Sequence, residues 1–341
     1  VPHENLGLFD TPPSRGENQL ALGVVAAVFL GFLAVLPEIR IRPGESVALI
    51  PTVSAILFVG ELIIASLLYA QAALFRSRAL TVLAAGYVLT ALLLIPYALS
   101  FPGAFSPVGL LDPGVSTTAW LMVFRRILGP VSIILYAVLK WTDAKASSEG
   151  ERPAPGVLAS VAAAAAVALA LTLMATVGHD RLPPLFTDRL HTTGVSMLVF
   201  NGAVCVLLAI AISMLLRKRS VLDTWLLVSA ATLFIQCALS ALVVERFTVG
   251  FYGIFLLMLV SHLVMLLALI AESNRLYLRL ALSTAQRNRE RDTRMMSMEG
   301  VAAAISHEVG QPLAAVSLGA SSALSALTRK DPDTETAIQS L

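Results

Sequence analysis

The sequence predicts an all-α protein: a polytopic membrane helical bundle of about eight transmembrane helices, followed by a long helix that leaves the bilayer. Three observations predict it. The chain has 341 residues, of which 57% are hydrophobic and 13% charged, with a mean hydropathy of +0.81, too apolar for a soluble globule. Apolar runs recur that are long enough to cross a hydrocarbon layer of roughly 30 Å, which takes about 20 helical residues. Beyond the last run, neither proline nor glycine interrupts the chain between Ala271 and Gly300, so the eighth span can continue as one helix.

In chain order the runs lie near 19–37, 47–72, 79–100, 119–139, 155–177, 193–216, 221–243 and 249–271. The segment 1–18 ahead of them carries Glu4, Asp10 and Glu17 and lacks a basic n-region and a small-residue cleavage site, so the first run reads as a retained helix and not as a signal peptide. Three connections are basic: Arg76 and Arg78; Lys140, Lys145 and Arg152; Arg217, Lys218 and Arg219. With eight spans these share one side, and the arginine-rich tail after Glu272 joins them. The positive-inside bias makes that side cytoplasmic, with both termini on it. The opposite side has the loop 100–118, with Asp112 its only charge, together with Arg40, Arg42, Arg181, Arg189 and Arg246. Pro96 in the third run and Pro130 in the fourth should kink their helices, and the alanines 162–166 in the fifth let helices approach closely. Cys205 and Cys237 sit inside apolar runs and read as small hydrophobes. A net charge of +2, concentrated at helix ends and in the tail, gives no reason to expect nucleic acid.

Ionisable groups inside a bilayer cost roughly 2.5–3.5 kcal/mol apiece on insertion scales, so each needs a partner or a function. Glu61 falls in the middle of the second span, His262 in the middle of the eighth, and Arg125 and Arg126 in the fourth. Asn201 and Gln236 come out at a depth similar to the two arginines. Arg125, Arg126, Asn201 and Gln236 therefore outline an outward-facing polar pocket for an anionic headgroup or small solute. Interhelical hydrogen bonding that only holds the bundle together is the other reading of the same residues. Glu61 and His262 form a separate candidate pair, either protonation-sensitive or structural. His179, Asp180, Asp188 and His191 flank one outer loop, but their spacing fits no metal motif, and no metal is expected.

The tail carries the second candidate site, in the run Ile305-Ser306-His307-Glu308-Val309-Gly310-Gln311-Pro312-Leu313. A neutral imidazole, with a pKa of roughly 6.5, is a competent nucleophile near neutral pH. Glu308 is placed to accept the other ring N–H and to stabilise the charge that develops on the ring. On helical spacing Met298, Val301, Ile305, Val309, Pro312 and Val316 share one stripe, with His307 rotated about 200° from Ile305. The histidine is thus expected to face outward, and Pro312 to bend the helix beside it. A solvated surface histidine is the plainer alternative, but the neighbouring Ile-Ser and Gln-Pro-Leu favour the nucleophile.

This run resembles the histidine box of sensor histidine kinases, in the subgroup with His-Glu-x-x-Gln-Pro-Leu. The resemblance implies that His307 is the phosphoacceptor and Glu308 its acid/base. It implies that Gln311 stands where a phosphatase water is positioned in relatives, and that the helix opens a dimeric helical-hairpin phosphoacceptor bundle. The membrane part has its own likeness. Arg76 to Tyr87, Ser100 to Leu111, Thr118 to Leu121 and His179 to Leu185 are similar to bacterial membrane-associated sensor (MASE) domains, eight-span modules attached to histidine kinases or diguanylate cyclases. That likeness covers most of residues 15–272.

Together the resemblances imply an N-terminal cytoplasmic segment (1–18), an eight-span sensor (19–271), a signalling helix (272–297) and a partial dimerisation and phosphoacceptor domain (298–341). They imply a homodimer in the bacterial inner membrane, lying in the lipid bilayer and passing phosphate to a response regulator. No Gly-rich phosphate loop occurs in the sequence, so ATP with Mg2+ is expected on a catalytic domain outside these residues. The competing expectation is a transporter-like or receptor-like protein whose amphipathic tail only dimerises. A cyclase-linked relative is disfavoured by the histidine box.

Overall fold

The structure, a computed structural model, describes residues 12–107, 109–111, 114, 116–146, 156–188, 190–217, 220–328 and 334–340. Asp112, Arg152, Arg189, Lys218 and Arg219, with the side chain of Lys145, lie outside the described residues. Among the described residues the regular secondary structure is helical, and eight helices are long and apolar enough to cross a membrane. The helices are α1 (Arg15–Val35), α2 (Leu49–Phe75), α3 (Arg78–Ser100), α4 (Thr117–Ala146), α5 (Val157–Thr176), α6 (Gly194–Leu215), α7 (Val221–Leu242), α8 (Val249–Leu327) and α9 (Thr334–Gln339). Two compact units divide at Leu276 and Tyr277.

Helix ends follow from local chemistry. Helix α1 starts at Arg15, ahead of the apolar run, because Ser14 and Glu17 form a reciprocal capping box: each backbone N–H is taken by the other's side chain, at 2.8 and 3.2 Å. Helix α7 starts in the same way on Ser220 and Asp223. Helix α2 ends on Arg76 in the left-handed conformation (φ 49°), and Ser77 caps α3 directly after it, which makes that connection abrupt. Helix α4 runs past its expected end near 139 as far as Ala146. There Lys140 donates to Asp223 at 2.5 Å and Tyr136 donates to the same carboxylate at 2.9 Å, so the first polar turn beyond the apolar run is tied to α7. The prolines at 96, 130 and 312 are all accommodated within continuous helices.

In the first unit α3 is the central helix. It packs on α2, α4 and α5, and 72% of its most apolar stretch is buried, against 11% for α1 and for α5. Gly86 makes the α3–α4 approach possible, because a Cβ there would overlap the Ser132 hydroxyl. Helix α6 packs on α7 and α4, and α1 on α7. The start of α8 joins them through Ile254 and Leu257, clustered with Val28 and Leu239. Leu22, Leu158, Leu169 and Leu198 stay exposed on the outside. An exposed apolar surface of this extent is what a lipid environment covers.

In the second unit Ala323, Ala326 and Ala337 pack α9 against the end of α8. Met298, Val301, Ile305, Val309 and Val316 are all exposed.

Candidate functional site

Arg125 and Arg126 are consecutive on α4, and consecutive helical residues point about 100° apart. The two guanidiniums therefore leave the helix in different directions, and they make different sites. Arg125 turns toward α2 and α8. It donates through Nη2 to Glu61 Oε1 and through Nη1 to Met258 Sδ at 3.2 Å. His262 completes the group, with Nε2 2.8 Å from Glu61 Oε1 and 3.2 Å from Arg125 Nη2. The other ring nitrogen, Nδ1, is 2.8 Å from the Met258 carbonyl, which can only accept, so Nδ1 carries a proton. The second proton is then decisive. With a hydrogen on Nε2 the ring donates to Glu61; without one, Nε2 accepts from Arg125. Glu61 is fully buried and Arg125 is buried, and the trio lines a cavity of about 80 Å³ with Gln236 and Ser229.

Arg126 turns toward α6 and α7. It donates to Asn201 Oδ1 at 3.1 Å and to Ser240 Oγ at 2.7 Å. Among the described residues no carboxylate lies within ion-pair distance of it. Because Arg126 occupies Asn201 Oδ1, the amide nitrogen of Asn201 must present its two N–H groups elsewhere, and this buried atom has no partner among the described residues. Both side chains line a second cavity, of about 100 Å³, walled by Phe101, Phe186, Phe200, Phe251 and Phe255.

The connecting segments at this end of the bundle contribute Phe186, Thr192, Glu245 and Arg246 to the lining of the cavity. Ser116 accepts the backbone N–H groups of Leu185 and Phe186 at 3.0 and 3.2 Å, and Trp120 donates to the Pro183 carbonyl at 3.1 Å. The backbone of Thr192 bonds Val244, and that of Arg246 bonds Leu190. Phe247 then adopts a left-handed conformation (φ 63°), which for a bulky residue costs of order 1–2 kcal/mol, and buries its ring edge-on against Phe101. Arg246, held by this turn, is 5% exposed. It donates to Thr118 Oγ1 at 3.0 Å and lies 4.1 Å over the Phe186 ring. Burial pulls its pKa down to about 10, still a cation at neutral pH. The lining carboxylate, Glu245, is taken up by Arg42 at 2.6 Å and His191 at 3.4 Å. His191 in turn holds Asp188 at 2.8 Å. Donation from the His191 backbone and ring brings Asp188 down to about 2, and the same contact raises His191.

Of the four residues expected to share one pocket, Arg125, Arg126 and Gln236 line the smaller cavity, and Arg126 also lines the larger one with Asn201. Arg126 and Asn201 meet in the larger cavity. Arg125 is instead drawn to Glu61 and His262, and Gln236 donates to the Ile254 carbonyl at 3.0 Å. The Glu61–His262 pair forms, with Arg125 as a third member that spacing did not reveal. Arg246 and Ser240 were missed as cavity residues. An arginine next to a span end reads as an interfacial anchor, and only the loop bonds turn this one inward. His179 lies 3.1 Å from Asp180, separate from His191, and no metal-binding cluster occurs among the described residues.

In the second unit His307, Glu308 and Gln311 are exposed on α8. No hydrogen bond joins His307 to Glu308 among the described residues, as the angle between consecutive helical side chains dictates.

Residues 45–277 match the family model of a membrane-associated sensor, integral membrane domain, MASE4. Both cavities lie within those residues, and α1 lies ahead of them. No curated protein and no solved structure matches the chain.

Proposed function

The chain belongs to the MASE4 family of membrane-associated sensor, integral membrane domains, and from that premise we propose that it is the sensory and phosphoacceptor portion of a two-component histidine kinase. In this reading the protein is an enzyme of the bacterial inner membrane with both termini cytoplasmic. It acts as a homodimer, with the γ-phosphoryl group of ATP moving to His307 and then to an aspartate of a response regulator. ATP and Mg2+ belong to the catalytic domain that works on this helix.

The observation that carries the reading is His307, exposed on α8 within His-Glu-x-x-Gln-Pro-Leu. An accessible ring nitrogen is what an incoming phosphoryl group needs. Glu308, exposed beside it, would take the ring proton through an intervening water, and Gln311, one turn along, would face a water that attacks the phosphohistidine. The exposed stripe from Met298 to Val316 is the surface that a second copy would cover. Helix α8 begins as the eighth span and carries His307, so a shift of the membrane bundle has a continuous element to act on.

The test is labelling with γ-labelled ATP in membranes that hold the chain joined to its ATP-binding domain. Wild type should acquire an acid-labile label, and His307→Gln should lose it. A label that persists in His307→Gln overturns the assignment.

A further inference from the structure

The larger cavity is a cationic chamber with an apolar wall. Arg126 is 9% exposed and, among the described residues, holds only the neutral acceptors Asn201 Oδ1 and Ser240 Oγ. A buried cation without an anion is costly, whereas a hydrogen-bonded pair with a carboxylate or phosphate offsets much of that cost. Asn201 is 5% exposed and brings unpartnered amide donors to the same cavity. Guanidinium and amide are both donors, so what they lack is an acceptor. Arg246 adds a second positive charge to the lining, and Glu245 is neutralised by Arg42 and His191. The phenylalanine rings form the apolar wall of the cavity, and aromatic walls accept an apolar body edge-on or offset. Glu245 and Thr192 are less buried than Arg126 and Asn201, so the anion would enter from the end formed by the connecting segments and lie deepest.

We propose that this cavity is a receptor site for a monoanion on a small apolar body, its carboxylate or phosphate held by Arg126 and Asn201 and its body packed among Phe186, Phe200 and Phe251. The inference deepens the sensory reading above, on which its signalling consequence rests. Two sources carry this chemistry: a free aromatic acid, or a fatty acid delivered by the bilayer.

The test is binding to the purified full chain in neutral lipid nanodiscs, with 3-phenylpropionate as the probe and its uncharged amide as the control. The acid should bind at least tenfold more tightly than the amide, and Arg126→Gln should abolish that preference. Asn201→Leu should weaken the acid with little effect on the amide. Displacement of phenylpropionate by oleate assigns the site to a membrane-borne acid; its absence assigns the site to a soluble one. Acid and amide binding equally, or an acid preference that survives Arg126→Gln, overturns the proposal. The comparison of acid with amide is made on wild type, so a variant that fails to fold leaves the test intact. Binding is read without ATP, so failure here is distinct from failure of phosphotransfer to His307.

Discussion

Replacing Glu61 by leucine should be among the most damaging single changes in the membrane domain. Glu61 is fully buried and Arg125 is 8% exposed, and the carboxylate is the one anion that Arg125 meets among the described residues. After the change the guanidinium keeps Met258 Sδ and His262 Nε2, each at 3.2 Å, and neither is negative. Breaking one side of a buried pair costs about 3–5 kcal/mol, which at roughly 2–4 °C per kcal/mol is a loss of order 10 °C in Tm. The same reasoning makes a stricter demand on the double variant Glu61→Leu/Arg125→Met. With both charges gone, His262 Nε2 loses its partners and Met258 Sδ, a weak acceptor, loses its donor, so all but about 1–2 kcal/mol should return. The assay is thermal unfolding of the four proteins of the cycle in one detergent, followed by intrinsic fluorescence, with the coupling energy taken from the differences. A single variant within about 1 kcal/mol of wild type, or a double variant as unstable as the single, refutes the view that the pair is a desolvated ion pair.

Gly86→Ala should cost about 1–3 kcal/mol as overpacking, because the new methyl meets both the Ser132 hydroxyl, itself bonded to the Leu128 carbonyl at 2.8 Å, and the Ser132 Cβ at 2.5 Å; Ser132→Ala in the same chain should recover only part of the lost Tm, because the Cβ contact remains. The Asp188–His191 clasp should show a pH window. Raised above its usual 6.5, His191 contributes fully below that value and loses its contribution as pH rises through its folded pKa. Asp188, lowered from 3.8 to about 2, contributes above 3.8 and loses its contribution as pH falls toward 2. The Tm difference between wild type and His191→Ala should therefore be widest between these limits and shrink in alkali; a difference that grows in alkali contradicts the assignment.

The eight membrane helices were legible because hydropathy is a local property that twenty residues state on their own. So was the cost of Glu61, Arg125, Arg126 and His262 within apolar runs. Their division into two sites was not legible. Sequence placed Arg125 and Arg126 at one depth, but whether each faced α2 or α6 depended on the rotation of α4, which is set by contacts such as Gly86 against Ser132. Arg246 was harder still, because its inward turn comes from backbone bonds between loops more than fifty residues apart in the chain, Thr192 to Val244 and Arg246 to Leu190.

By itself, then, the amino-acid order determined the helices, the groups too polar to lie idle among them, and the exposed helical face that carries His307. Tertiary structure decided which charge met which: Arg125 with Glu61 and His262, Arg126 with Asn201 at an aromatic cavity. Apolarity and capping act between near neighbours in the chain, whereas the pairing of buried charges is fixed only when packed helices choose their faces.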